Sequence, residues 1–177
     1  FNDDGGKIAV GTMSGNVHVI DMNSSSSSSS SIISMGTSTS GISHLKAIRS
    51  IEFSKDVSNN NNLLFTASED KYAICHDLRT NTPVCSFAHT GRCLSIDSST
   101  NGRQFVVGNS DHNVYLWDIG TQKLIKKYNT HNDEVWCVKY DATATGGTGT
   151  GTTAEDSSGI GRRFASAGDD GLLQLYD

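Results

Sequence analysis

The sequence contains one proline in 177 residues, and aromatics make up only 7%, with two tryptophans. No apolar run approaches the roughly 18 residues of a membrane-spanning helix. No stretch of useful length carries the spacing of an amphipathic helix. Hydrophobic residues reach 35%, and the shortfall is concentrated in low-complexity tracts at Ser24–Ser31, Asn59–Asn62 and Thr143–Gly161. What remains suffices for a core, though not a generous one. A net charge of −5 is too mild for a general nucleic-acid binder or a disordered acidic tail. The four cysteines (Cys75, Cys85, Cys93, Cys137) form no CxxC pair and no small-domain framework. They read as reduced, half-buried thiols of an intracellular protein. Phe1 is not followed by the charged and apolar segments of a signal peptide.

What is present is repetition. The segments GTMSGNVHVID, TASEDKYAICHD, VGNSDHNVYLWD and SAGDDGLLQLYD end at Asp21, Asp77, Asp118 and Asp177. Seven residues before each stands Ser14, Asp70, Asp111 or Asp170, and short apolar or β-branched runs lie upstream. Two strands joined by a tight polar turn account for this pattern. A second anchor recurs three times: His44, His89 and His131 are followed by Ile48, Cys93 and Val135 at +4 and by Ile51, Ile96 and Val138 at +7. This predicts another strand, with +7 and +9 on one face. Further strands are predicted at Ile32–Met35, Val84–Phe87 and Leu124–Tyr128. The unit is four short strands, and the chain is all-β.

The closing Asp residues are spaced by 56, 41 and 59 residues. The middle spacing is the uninterrupted unit, and low-complexity tracts account for the surplus in its neighbours. Slow growth of loop-closure entropy with length makes such insertions tolerable. The expected organisation is a truncated first unit at 1–22, a Ser-rich insertion with an outer strand at 23–43, and units at 44–87, 88–128 and 129–177. The last carries the Thr/Gly-rich loop 143–161.

The Leu116–Asp118 tripeptide LWD, its variants LYD and CHD, and the dipeptides SH, AH and TH ending at His44, His89 and His131 resemble the WD-repeat family. The resemblance implies a β-propeller of four-stranded blades. About four blades would be present, as the C-terminal part of a seven-bladed propeller. In the family a His, a strand-b Ser or Thr, a turn Asp and a strand-c Trp form a network in each blade. Carried over by position, this implies His44, Thr66 and Asp70 in the second unit, with His76 in the Trp place. It implies His89, Asp111 and Trp117 in the third, where Val107 interrupts the Ser/Thr position. In the last it implies His131, Ser166 and Asp170, with Tyr176 replacing Trp. The first unit has Val10 and Ser14 instead.

No metal or cofactor is expected, because each His recurs in a different unit and the set does not converge. GGTGTGT at Gly146–Thr152 lacks the register of a phosphate loop and reads as a linker. The acidic pairs Asp3–Asp4, Glu69–Asp70 and Asp169–Asp170 fall at predicted turns. His18 and His112 read as exposed residues, and Lys123, Lys126 and Lys127 as protection of an outer strand edge. Trp136 reads either as an inward structural residue or as an interface anchor. With Arg49, Arg92 and Glu134 it forms the candidate partner face. Within the family, HLKAIRSIEFSKD, HNDEVWCVKYD and FASAGDDGLLQLYD are similar to the WD-repeat subunits of superkiller RNA-decay complexes, shared in animals with Paf transcription-elongation complexes. The resemblance implies a non-catalytic scaffold in nucleus and cytoplasm. It would dock on helical-repeat proteins, with no direct contact to nucleic acid or membrane. Another WD-repeat adaptor, for signalling or ubiquitin-ligase substrate reception, is the alternative; a propeller enzyme would need polar residues converging at a central funnel.

Overall fold

A strand buried on both faces has no polar alternation to show, which is how the middle of this chain reads. The structure is a computed structural model and describes residues 2, 5–22, 32–35, 42–55, 62–141 and 163–177. Among them are fourteen strands and no helix. They are β1 (Lys7–Gly11), β2 (Val17–Asp21), β3 (Ile32–Met35), β4 (Ile48–Phe53), β5 (Leu63–Ser68), β6 (Tyr72–Asp77) and β7 (Thr82–Ala88). The chain continues through β8 (Cys93–Ser98), β9 (Gln104–Asn109), β10 (Val114–Asp118), β11 (Leu124–Tyr128), β12 (Val135–Tyr140), β13 (Phe164–Gly168) and β14 (Leu173–Tyr176).

These build four antiparallel sheets, β1-β2-β3, β4-β5-β6-β7, β8-β9-β10-β11 and β12-β13-β14. Each has the architecture of a propeller blade, so the all-β propeller reading holds. The second and third blades have all four strands, a to d from inside outward. The first corresponds to strands b to d, and the fourth to a to c. The segments 56–61 and 142–162 connect strands a and b, and 23–31 connect strands c and d; they lie outside the described residues. So do Asp3–Asp4 and the GGTGTGT run.

The core lies between blades. Phe65, Ala73, Cys75, Cys85 and Phe87 of the second blade meet Cys93, Ile96, Phe105 and Val107 of the third. Phe65 and Phe105 stack with centroids 5.4 Å apart, and Phe87 meets Phe105 edge-on at 4.7 Å. Val106, Val114 and Leu116 then meet Val135, Val138, Tyr140, Phe164 and Tyr176 of the fourth. Val17 and Val19 of the first meet Phe53, Leu64 and Leu78 of the second. Because strand side chains alternate between faces, every residue of β8 and β9 is buried. The fourth blade has a neighbour on one side only among the described residues, and β12 is buried at Val135, Val138 and Tyr140 alone. Leu173 and Leu175 match the buried Val114 and Leu116 in position, yet are 69% and 79% exposed. A small residue at one place in strand b lets the next blade approach. At Gly108 a Cβ would stand 2.9 Å from Val135. Gly11 and Ala67 hold the same place in earlier blades.

Cysteine burial departs from the expectation. Cys75, Cys85 and Cys93 are buried, because both faces of their blades are covered, and only Cys137 is exposed. His18 is not simply exposed: it shares a 2.9 Å hydrogen bond with Ser34 across β2 and β3. Lys126 and Lys127 on outer strand β11 reach over the Tyr128 and Tyr115 rings at 4.6 and 5.3 Å.

Candidate functional site

In the fourth blade His131 Nδ1 lies 3.1 Å from Asp170 Oδ1 and Nε2 lies 2.6 Å from Ser166 Oγ. Ser166 Oγ in turn lies 2.9 Å from the Tyr176 hydroxyl. Asp170 also accepts the Asn132 and Leu172 backbone N–H groups. The Asn132 bond leads in holding its carboxyl down at about 2, with His131 adding to it. In the second blade His44 Nδ1 lies 2.9 Å from Asp70 Oδ2 and Nε2 lies 2.8 Å from Thr66 Oγ1. Thr66 Oγ1 is 3.1 Å from His76 Nε2, so His76 holds the place of the family Trp. Burial pushes the Asp70 carboxyl up, but bonds from His44 and the Leu45 backbone outweigh it and leave the pKa lowered.

The third blade differs from the expected network. Asp111 is bonded by the Thr90 hydroxyl and, at 2.6 Å, by the Tyr115 hydroxyl. Both ring nitrogens of His89 and Nε1 of Trp117 are buried without a hydrogen-bond partner. His89 instead meets Tyr115 and Trp117 edge-on, at 4.8 and 5.6 Å. The physical reason is Val107. It offers no hydroxyl where Thr66 and Ser166 link ring to ring, and the Thr90 and Tyr115 hydroxyls both bond Asp111 Oδ2, leaving Oδ1 buried without a partner. Burial lowers the His89 and His76 pKa values to about 4, opposed by Asp111 in the former and joined by His44 in the latter. In the first blade Ser14 pairs only with its turn neighbours Thr12 and Asn16.

These networks fix one end of the blades. The carbonyls of Ala47, Arg92 and Glu134, just before each inner strand, accept the N–H of Glu69, Ser110 and Asp169 in the b–c turns at 2.9–3.0 Å. The opposite end is joined the same way: Leu78 and Ile119 donate to Asn62 and Arg103. Each inner strand opens with a bulge between positions 48 and 50, 93 and 95, or 135 and 137. A bulge re-aims the extra residue, here Arg49, Leu94 or Trp136. Leu94, in a blade covered on both faces, is buried, whereas Trp136, in the blade with one described neighbour, is 45% exposed. Arg92 Nη2 donates to Glu134 Oε1 at 2.5 Å and links the third blade to the fourth. Arg49 Nε donates to Glu69 at 2.7 Å within its own blade. Arg92 and Glu134 are thus joined, with Trp136 two residues along the chain from Glu134, while Arg49 stands apart with Glu69.

One cluster was missed by the sequence reading. Position +8 after each His anchor is charged: Glu52, Asp97 and Lys139. Asp97 is fully buried, accepts Lys55 Nζ at 2.5 Å and accepts the Tyr140 N–H at 2.7 Å. Lys139 Nζ reaches Glu52 at 3.3 Å, so the cluster spans three blades. Burial and the neighbouring Asp97 raise the Glu52 pKa. Among the described residues no group of His, Cys, Asp and Glu is suited to a metal ion, and no helix is long and apolar enough to cross a membrane.

The model of the WD domain, G-beta repeat, matches residues 81–118 and 122–177, just over half the chain. The chain belongs to the WD-repeat family. Among its relatives are methylosome protein WDR77 of Xenopus laevis, 30% identical over 51% of this chain, and protein SOF1 of Saccharomyces cerevisiae, 30% identical over 51%. Protein NEDD1 of Homo sapiens is 27% identical over 48%. The chain covers 22%, 18% and 13% of these relatives' own lengths. WD-repeat proteins generally act as protein-interaction scaffolds or adaptors. The relatives are diverse, and at such identities they speak for the family and not for one complex.

Proposed function

We propose that this chain is the interaction module of a multi-protein assembly, with its docking face at the end where the d–a loops and b–c turns meet. The observation that carries this is Trp136, aimed outward by a bulge on a strand that is otherwise locked by ladders and inter-blade bonds. A large aromatic held rigidly beside a charged bridge is the composition of an interface anchor. The Arg92–Glu134 bridge stands at the same end of the blades, and Arg49, apart from it, pairs with Glu69 at the second blade. The buried Ser166, His131 and Asp170 have the order of a hydrolase triad, but the Ser166 hydroxyl sits against Tyr176 inside the blade with 1% exposure. That supports a structural part for the triplet.

More specifically, the assembly is a superkiller-type RNA-decay complex, a Paf-type transcription-elongation complex, or both, and the partner is a helical-repeat subunit. This finer reading rests on the likeness of HNDEVWCVKYD and FASAGDDGLLQLYD, and it places the protein in nucleus and cytoplasm. A second reading, another WD-repeat adaptor, is favoured by similar identity to several unrelated family members. Affinity purification of the intact protein with mass spectrometry separates the two. Recovery of RNA-decay helicase subunits or elongation factors supports the specific reading; recovery of neither rejects it in favour of the second.

A further inference from the structure

The rim of the second blade carries large apolar side chains that the fold does not use. Leu45, in the d–a loop between the first two blades, is 83% exposed, and Met13, in the first b–c turn, is 76% exposed. Tyr72, which opens β6 just after the second b–c turn, is exposed as well. Hydrogen bonds stitch the three segments together. The Thr12 carbonyl accepts the Ile48 N–H at 3.1 Å, and Ser68 Oγ donates to the Lys46 carbonyl at 3.1 Å. Asp70 accepts the Leu45 N–H at 2.9 Å and the Tyr72 N–H at 3.0 Å. Gly15 is packed so closely that a Cβ there would stand 2.5 Å from the His44 carbonyl oxygen. The second blade has a packed neighbour on each face. An uncovered blade face therefore does not account for the exposure of Leu45 and Tyr72.

The free charge around these side chains has one sign. Glu69 is paired with Arg49, and Asp70 is taken up by the His44 ring and two backbone N–H groups. Lys46 and Lys71 are exposed and make no ion pair among the described residues. Lys71 has a φ of 76°, and the matching residue is Gly15 in the first blade and Gly171 in the fourth. A left-handed backbone penalises any Cβ, so an ammonium is kept where the fold alone favours glycine. The repeat does not demand this composition either. Where the second blade has Leu45 and Lys46, the third has Thr90 and Gly91 and the fourth has Asn132 and Asp133. Thr90 serves the fold by bonding Asp111, a contact that the Leu45 side chain cannot make. Exposed apolar groups beside unpaired positive charge are the complement of an acidic, apolar segment.

We propose that Met13, Leu45 and Tyr72, with Lys46 and Lys71, form a docking patch for an acidic, apolar segment of a protein partner. The patch lies at the end of the blades proposed above for docking; it rests on that reading but stands on its own residues. Apolar side chains of the segment cover Leu45, Tyr72 and Met13, and its carboxylates face Lys46 and Lys71. Apolar burial supplies the affinity. The two exposed lysines contribute mainly to the choice of partner and the rate of encounter. The rim of the fourth blade, with Asp133 and Asp169 exposed, repels the same segment and steers it to the second.

The test measures binding of a labelled peptide, acetyl-EEFLEDLEE-amide, to the intact protein by fluorescence anisotropy. The expected result is saturable binding that weakens as salt is raised and is lost when the apolar residues of the peptide are changed to serine. Leu45→Ser should weaken binding about tenfold, and Lys46→Glu combined with Lys71→Glu about as much. Lys71→Gly should separate binding from stability: the urea midpoint rises while affinity falls about threefold. A purely structural Lys71 would move the midpoint alone. Lys126→Glu, on the outer strand of the third blade, should leave affinity unchanged. No saturable binding, or binding unmoved by both Leu45→Ser and Lys71→Gly, overturns the proposal. So does equal binding of the serine peptide, or displacement by polyuridylate as readily as by unlabelled peptide. Failure of the docking reading built on Trp136 is seen separately. Affinity for the purified helical-repeat partner would then be insensitive to Trp136→Ala while the peptide still binds, which keeps this patch and rejects that reading.

Discussion

Arg92 and Glu134 belong to neighbouring blades and are joined by a 2.5 Å charge-assisted hydrogen bond, with Glu134 two residues before Trp136 in the chain. The same short segments that carry these side chains also carry the backbone bonds fastening each d–a loop to its b–c turn. Recognition surface and scaffold are therefore one piece of chain. Changes to the scaffold can be predicted separately from changes to the surface.

His131 and His89 occupy the same place in successive blades but should respond differently to substitution. His131→Phe leaves Ser166 and Asp170 without their partner and should cost about 2–4 kcal/mol. His89→Phe removes a ring that makes no hydrogen bond, so it should be neutral within ~1 kcal/mol. Val107→Thr places a hydroxyl at the position that Thr66 fills in the second blade, next to the unpartnered nitrogens. It should recover about 1 kcal/mol. Urea midpoints of the three variants check this.

Acid should weaken the fold through its buried histidines, from about pH 6.5 downward. His76 and His89 are held near 4 by burial, whereas in the unfolded chain they titrate near 6.5. Between these values the unfolded chain binds protons that the folded one refuses, so stability falls as pH falls from about 6.5 to 4. The loss is of the order of a few kcal/mol per histidine. His89→Phe should remove its share of that slope. Asp170, depressed to about 2, adds stability above its unfolded value that is lost only in stronger acid. Unfolding midpoints measured across pH would reveal both phases.

The residue after each b–c turn Asp or Ser is left-handed: Gly15, Lys71, His112 and Gly171 have φ of 89°, 76°, 68° and 73°. Lys71→Gly and His112→Gly should each stabilise by about 0.5–1 kcal/mol, since a Cβ is penalised there. Gly171→Ala meets no atom within 4 Å, so it isolates the backbone cost, about 1 kcal/mol in the opposite direction. Thermal unfolding of the three variants tests the pair of signs.

Coupling between blades runs through side chains on the inner strands. Ser50 Oγ accepts the Ile96 N–H at 3.3 Å and Ser95 Oγ accepts the Val138 N–H at 3.1 Å. Ser95→Ala leaves the buried Val138 N–H unpaired and should cost about 1–3 kcal/mol. Asp97→Ala leaves the Tyr140 N–H unpaired and takes from Lys55 its shorter carboxylate contact, leaving only Glu52 at 3.5 Å, and should cost more, about 3–5 kcal/mol. Amide exchange at Val138 and Tyr140 should accelerate in the respective variants; unchanged exchange would contradict the coupling.

Strand positions were legible in the sequence because turn Asp residues and His anchors mark fixed offsets. The all-β class followed from one proline and the missing helical periodicity. What could not be read was which copies of the network close. Val107 announced a gap, but not that Thr90 and Tyr115 would bond Asp111 while His89 stays without a hydrogen bond. The exposure of Trp136 was equally hidden, since a bulge shifts the alternation by one residue and sequence offsets assume none. The Asp97 cluster was recoverable in principle, because position +8 is charged in all three copies, though its burial comes only from the packing of three inner strands.

The central claim is that the rim around Trp136 makes the contact with a protein partner. The most direct measurement is the affinity of the intact protein for its purified helical-repeat partner, compared with Trp136→Ala, with Arg92→Glu and with deletion of 143–161. The account predicts a loss of tenfold or more for Trp136→Ala, corresponding to ~2 kcal/mol at an interface anchor. It predicts a smaller loss for Arg92→Glu and essentially none for the deletion, since that loop connects strands at the opposite end. Full binding by Trp136→Ala and Arg92→Glu together with loss of binding on deletion would contradict it.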